Sequence, residues 1–460
     1  MGTVNQEVLQ YYRCPEEFVN FALSGDLSED SGFFRFGKDA LCFGESCSGF
    51  RARRVQPDLY DALAGVVFDG TSIQLPFDPS EVIDNLRRER YLRSDHHGEK
   101  KTVVQSAVRN AYYVLRPALP VSVRKHVQRM SLRGWDKLPF PGWPVDRTVE
   151  NIVEKLLALS LQAHAVERIP FVWFWPEGAY SAAIVTHDVE ALAGRDFCSE
   201  LMDLDDSVGI KASFQIVPEE RYAVPRCFLD SIRERGFEIN VHDLNHDGRL
   251  FVDRQVFLQR AQRINRYGRE FGAAGFRSGA LYRNLEWFQA LEFAYDMSVP
   301  NVGHLEAQRG GCCTVMPYFL GDILEIPVTM TQDYTLYYIL KDYSIDLWKR
   351  QIELVIGKNG LISFIAHPDY IETPRERSIY EELLGYLARL RDEKRVWMTT
   401  PGEVNRWWRA RSQMTIVRSD GDWSIEGPQS ERARLAYAVL DGGHLSYEIR
   451  SAHRSKGVHA

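Results

Sequence analysis

The sequence predicts an α/β protein whose central part is a parallel sheet closed into a barrel. Three observations carry that prediction. Short β-rich runs recur between residues 182 and 401: AAIVTHD, KASFQIVP, FEINVHD, AAGFRS, FAYDMSVP, DILEIPVT, LISFIAHP and RVWMTTP. Helical segments such as RCFLDSIRERG, DRQVFLQRAQRINRYGREFG and IDLWKRQIELVIGKNG separate many of them. Alternating strand and helix requires parallel neighbours, and seven or eight such strands suggest closure. Finally, titratable residues stand where several of the runs end, which is where a barrel builds its site.

The elements before the barrel differ in character. GFFRFGKDALCFGES reads as a short hairpin. EVIDNLRRERYLRS and the segment that follows read as basic helices, with Arg and Lys clustered between 87 and 133. That stretch is expected to be a solvated face; a peripheral contact with an anionic surface is its sharper reading. KLPFPGWPVD marks a boundary, since proline continues neither regular element. TVENIVEKLLALSLQAHA has apolar residues at helical spacing. After the barrel, MTIVRSDGDWSIEG and RLAYAVLDGGHLSYEIR read as strands around D-G and G-G turns. The expected organisation is therefore an N-terminal accessory region over 1–145, a barrel over 146–410 and a small β appendage over 411–460.

Composition sets outer bounds. The 460 residues correspond to about three domains at roughly 150 residues each. With 45% hydrophobic and 26% charged residues, the chain can bury a full core. Lys and Arg number 56 against 63 Asp and Glu, a net charge of −7, so no polycationic nucleic-acid binder is expected. No apolar run approaches the roughly 18 residues of a membrane span, and the first residues lack the pattern of a secretory signal. Seven cysteines without a C-x-x-C suit reduced thiols, so a cytoplasmic location is expected.

The strand ends carry the chemistry. The first ends in Thr186-His187-Asp188-Val189-Glu190, the third in His242-Asp243-Leu244-Asn245-His246-Asp247-Gly248. The fourth ends in Phe276-Arg277-Ser278-Gly279, the fifth in Tyr295-Asp296 and the seventh in Ala366-His367-Pro368-Asp369. His242 and His246, four apart, would share one face of a helical turn and could hold one ion. A carboxylate from a neighbouring strand would complete a facial triad with positions open for water and substrate. Asp188 and Glu190 both qualify, because residues two apart in an extended segment point the same way. One could ligate the metal while the other takes a proton from the attacking water.

In this order, THDVE, HDLNHDG, FRSG, YDMSVP and FIAHP resemble the five motifs of the polysaccharide deacetylase (NodB homology) family. The resemblance covers about residues 175–400. It implies a distorted (β/α) barrel of about seven strands and a divalent metal, usually zinc. It also implies hydrolysis of N-acetyl, or sometimes O-acetyl, groups on an amino sugar or glycan. Carried over by motif, Asp188 would be the catalytic base, and Glu190, His242 and His246 the metal ligands. Arg277 would orient the base, Asp296 would pair with Arg277, and His367 would be the acid that protonates the leaving amine. Two departures stand out. Val189 occupies the place of a second adjacent Asp, and FRSGALYRN lacks the proline of R-x-P-x-G, which leaves the oxyanion donor unassigned within Ser278 to Leu281. An amidohydrolase acting on a small non-sugar amide is the alternative enzyme reading, and a non-catalytic glycan-binding relative the alternative outside enzymes.

Overall fold

The run SAAIVTHDV, buried at all nine positions, forms the strand on which the barrel is built. Such a run has no solvent face, as expected of a strand covered on both sides. The computed structural model describes residues 3–49, 52–95, 130, 132–393, 395–419 and 422–450. The chain divides into two compact units, Leu86–Arg147 with Ser181–Asn405, and Met1–Asn85 with Thr148–Tyr180 and Arg406–Ala460.

The first of these is the barrel unit. Its strands are β1 (Ser181–Val189), β2 (Ser213–Ile216), β3 (Glu238–His242), β4 (Gly275–Arg277) and β5 (Tyr295–Asp296). They continue with β6 (Tyr318–Leu320), β7 (Ile323–Glu325), β8 (Leu361–Ala366) and β9 (Val396–Thr399). The sheet order is β6-β7-β5-β4-β3-β2-β1-β8. All neighbours are parallel except β6 with β7. β1 is long enough to take two partners along one edge, β9 against Ser181–Ile184 and β2 against Thr186–Val189. The curl is drawn together beyond β7, where the Met330 amide donates to Ser363 O at 3.2 Å. There the Thr329 hydroxyl accepts from Ser363 N at 2.9 Å and donates to Leu361 O at 2.7 Å. A side chain stands in for backbone rungs at this seam, so the barrel is distorted, as expected.

Register decides which side chains face the lumen. Asp188 pairs with Gln215 and Gln215 with Asn240, while His242 pairs with Arg277. These residues share the inner face. The intervening level runs through Val189, Ile216, Val241 and Phe276, all part of the apolar core. Helices Leu192–Ser207, Arg254–Phe271 and Asp346–Ile356 supply the outer layer through residues such as Phe197, Phe257 and Trp348. Arg254–Phe271 begins where Asp253 accepts from Val256 N at 2.9 Å and stops at Gly272, whose φ of 57° suits glycine.

The second unit differs from the expected organisation. The predicted hairpin is present as Gly32–Arg35 against Leu41–Gly44, and the helix as Thr148–Ala163. The C-terminal strand Leu435–Asp441, however, pairs antiparallel with Arg168–Val172, so the tail is no separate appendage. Arg411, fully buried, donates to the carbonyls of Tyr11, Val172 and Trp173 and so ties three stretches of chain together. The boundaries expected at 145 and 410 therefore give way to breaks near 85, 147, 180 and 405. Long-range strand pairing is the reason, and local pattern does not report it. Of the basic stretch 87–133, residues 87–95, 130, 132 and 133 lie with the barrel unit; 96–129 and 131 fall outside the described residues, and the anionic-surface expectation falls on them.

Candidate metal and hydrolase site

β1 carries Thr186 and Asp188 into the lumen, and Glu190 follows one residue beyond the strand. Val189 between them points into the apolar core, as alternation demands. β3 ends on His242. His246 comes from an irregular loop with φ of 53°, not from the helical turn that its spacing suggested. The two rings still meet, with centroids 4.9 Å apart. The loop is pinned from outside: Asp247 takes both Arg260 Nη atoms at 2.7 Å and accepts from Arg249 N at 2.9 Å.

Glu190 Oε1 is the point on which three imidazoles converge. His246 Nε2 is 2.9 Å from it, and His242 Nε2 and His367 Nε2 are each 3.5 Å away. Asp188 Oδ2 lies 3.7 Å from His242 Nε2. Ligating atoms of Glu190, His242 and His246 fall within 4.8 Å of one another, as do those of Asp188, Glu190 and His367.

This donor set fits a divalent metal. The Nδ1 of His242 is 3.1 Å from Arg277 O, so it carries the proton and leaves Nε2 with a free lone pair. His246 Nε2 is buried with no hydrogen bond aligned on it. Gly279 leaves the space beside it, since a Cβ there would stand 2.9 Å from His246 Cδ2 and 2.5 Å from Asp243 Oδ2.

Arg277 is fully buried and donates through Nη1 to Asp188 Oδ1 at 2.6 Å and to the Thr186 hydroxyl at 2.7 Å. Burial pushes the Asp188 carboxyl up, but Arg277, then His242 and His367, outweigh it and hold it below the usual carboxylate range. Glu190 is pushed up by burial in the same way and held well below its ordinary range by the histidines, His246 first. Both are therefore carboxylates at neutral pH. For His367, burial favours the neutral ring, yet Asp333 and then Glu190 raise its pKa well above the ordinary value.

Asp296 departs from expectation. Instead of pairing with Arg277 it accepts from Ser298 N at 2.8 Å and from the Ser298 hydroxyl at 2.9 Å. The Nε of Arg277 goes to Met297 O at 3.0 Å. Register explains this, because Asp296 is level with Phe276 and with Glu325, on the face opposite His242 and Arg277. Burial pushes Asp296 up to about 6.

One residue was missed by the sequence reading. Asp333 accepts from His367 Nδ1 at 2.7 Å and from His367 N at 2.6 Å. It lies four residues beyond the end of the sixth run, DILEIPVT, and so outside the reach of the strand-end rule. His187, by contrast, turns away from the lumen and is held by Asp205 at 3.0 Å, which also accepts from the Tyr380 hydroxyl at 2.6 Å. It is a hydrogen-bonded core histidine.

No protein-family model matches the chain, and no curated protein does. Among solved structures it is similar to a Mycobacterium smegmatis chain described as a polysaccharide deacetylase, at 19% identity and a TM-score of 0.42, over 52% of this chain and 93% of that one. It is also similar to an allantoinase, at 13% identity and a TM-score of 0.40, over 51% and 92%. A Bordetella bronchiseptica chain described as a polysaccharide deacetylase involved in O-antigen biosynthesis gives 20% identity and a TM-score of 0.31, over 51% and 86%. These likenesses are of fold.

Proposed function

We propose that the chain is a metal-dependent hydrolase that removes an acetyl group, from nitrogen or oxygen, on an amino sugar or glycan. The observation that carries this reading is the convergence of two carboxylates and three imidazoles at the mouth of a barrel, with Arg277 and Asp333 holding one member of each kind. Glu190, His242 and His246 would hold the metal. A divalent ion there, zinc in the first instance, would supply Lewis acidity toward the acyl group and the attacking water.

The remaining steps belong to side chains. Asp188, ionised and fixed by Arg277, accepts the proton of the attacking water. His367, charged because Asp333 sits on its Nδ1, gives the Nε2 proton to the departing nitrogen or oxygen. Leu281, Val328 and Ile365 form a small apolar cluster apart from the main core, and Ile365 stands two residues before His367. The sugar part of the reading rests on the motif resemblance. All seven cysteines are free, which suits the reducing cytosol in which we place the reaction. Among the described residues no helix is long and apolar enough to cross a membrane.

The test is acetate release from a panel of acetylated sugars, with and without chelator, beside elemental analysis of a His242→Ala, His246→Ala variant. Chelator-sensitive release and loss of metal from the variant are expected. Release that ignores the chelator, or full metal retention, overturns the proposal.

A further inference from the structure

The loop after β2 is tied to the strand ends that carry the site. Glu219 N donates to Leu244 O at 3.1 Å, and Leu244 stands between His242 and His246 in the chain. The Tyr222 hydroxyl donates to Val189 O at 2.6 Å, one residue before Glu190, and accepts from Val217 N at 3.1 Å. Arg195 Nη1 adds a bond to Ala223 O at 3.1 Å. Between these ties stands Arg221, exposed to solvent, with its Nη2 3.5 Å from His246 Nδ1.

The two histidines differ on the side away from Glu190. His242 Nδ1 faces an acceptor, Arg277 O, which is the usual arrangement for a metal ligand. His246 Nδ1 faces a cation. When Nε2 is given to a metal, the proton of a neutral imidazole sits on Nδ1. The N–H groups of His246 and Arg221 would then meet as two donors, and an acceptor has to come between them. Charge selects its kind. Asp188 is matched by Arg277, Asp333 by His367, Asp247 by Arg260 and Glu219 by Arg263. A divalent ion would offset Glu190 and the buried Asp243. By that pairing Arg221 is the cation left over, and a guanidinium beside an imidazole N–H is a fork for an anionic oxygen.

We infer that Arg221 is a specificity-determining residue, which with the Nδ1–H of metal-loaded His246 binds an oxyanion, carboxylate or phosphate, carried by the substrate. This rests on the hydrolase reading above and narrows its substrate to an acidic acetylated sugar. The anionic oxygen lies one imidazole ring away from the metal-ligating nitrogen, on its solvent side. The substrate therefore carries its charge close to its acetyl group, on the same sugar ring or its first substituent.

The test uses zinc-loaded wild type, Arg221→Ala and Arg221→Lys. The probes are N-acetylglucosamine and N-acetylgalactosamine, each as neutral sugar, sugar phosphate and uronic acid. Wild type should release acetate from a charged form with kcat/KM at least tenfold above the neutral form. The form that wins distinguishes phosphate from carboxylate. Arg221→Ala should lose about 10- to 100-fold on that form, chiefly through KM, and stay within threefold on the neutral one. Arg221→Lys keeps the charge without the fork and should fall between. Thermal midpoint and zinc content should match wild type in both variants, because the side chain is exposed and meets His246 on the nitrogen away from the metal. Binding gives a readout apart from turnover. In calorimetry with zinc-loaded Asp188→Asn, the preferred charged form should bind at least tenfold more weakly once Arg221→Ala is added. If wild type releases acetate from the neutral forms as well as from the charged ones, or a preference for charge survives in Arg221→Ala, the assignment is overturned and the hydrolase reading stands. If wild type releases no acetate from any acetylated sugar, the hydrolase reading itself fails, and this assignment with it.

Discussion

Replacing Asp333 by asparagine isolates the charge that sits on the proposed acid. The contact is 2.7 Å between His367 Nδ1 and Asp333 Oδ1, and the two side chains are only 5% and 1% exposed, so solvent screens it little. Unit charges about 4 Å apart interact by about 4 kcal/mol at an effective dielectric of 20. The side-chain amide of Asp333→Asn would still accept the Nδ1 hydrogen bond, so ring orientation should survive while the charge term is lost. The carboxylate raises the pKa of His367, and its removal lowers it, so the ring gives up its proton at a pH where wild type keeps it. The basic limb of kcat/KM should therefore move to lower pH, and at pH 8 acetate release should fall about 10²-fold. The loss should shrink as pH is lowered, and metal content should stay near wild type. A basic limb at the wild-type position with activity within twofold would refute the reasoning, because Asp333 would then not tune the acid.

Two further outcomes separate the parts of the site, and a third concerns the buried acid pair on the opposite face of the sheet. Asp188→Asn should leave metal content near normal while turnover collapses by at least 10²-fold, whereas Glu190→Gln should lower occupancy and be partly rescued by excess zinc; the reverse pattern swaps their roles. Gly279→Ala should weaken metal affinity about 10- to 100-fold, because its Cβ would press on His246 and Asp243; unchanged affinity by zinc titration would mean that the loop yields freely. Asp296 and Glu325 face each other on adjacent strands, and burial followed by Asp296 pushes Glu325 well above its ordinary value. The folded state then holds protons that the unfolded chain releases above the ordinary carboxyl range, so stability falls as pH rises beyond that range. Glu325→Gln should remove part of that loss and raise Tm by about 2–4 °C at pH 8, with a smaller gain at pH 5; an equal gain at both would point to packing instead.

The convergence of the candidate site residues was legible in the chain because it depends on short-range rules. A strand ending in a titratable residue delivers it to the mouth of a barrel, and alternation puts Asp188 and Glu190 on one side with Val189 on the other. Those rules located Asp188, Glu190, His242, His246, Arg277 and His367. Other features depended on which segments become neighbours, and no local period encodes that. The partner of His367 is Asp333, 34 residues away in the chain, delivered by the stretch that closes the barrel against β8. Asp296 is turned from Arg277 because β5 enters the sheet one residue out of step with the expected pairing. The spacing of His242 and His246 suggested a helix, yet a loop with two left-handed residues, Asp243 and His246, brings the rings together. The tail joins residues 168–172 because an antiparallel ladder could form there, and a ladder's partner is set by the whole fold. Residue types and their local facing follow from covalent geometry; pairing across tens of residues follows from packing, which only the folded chain decides.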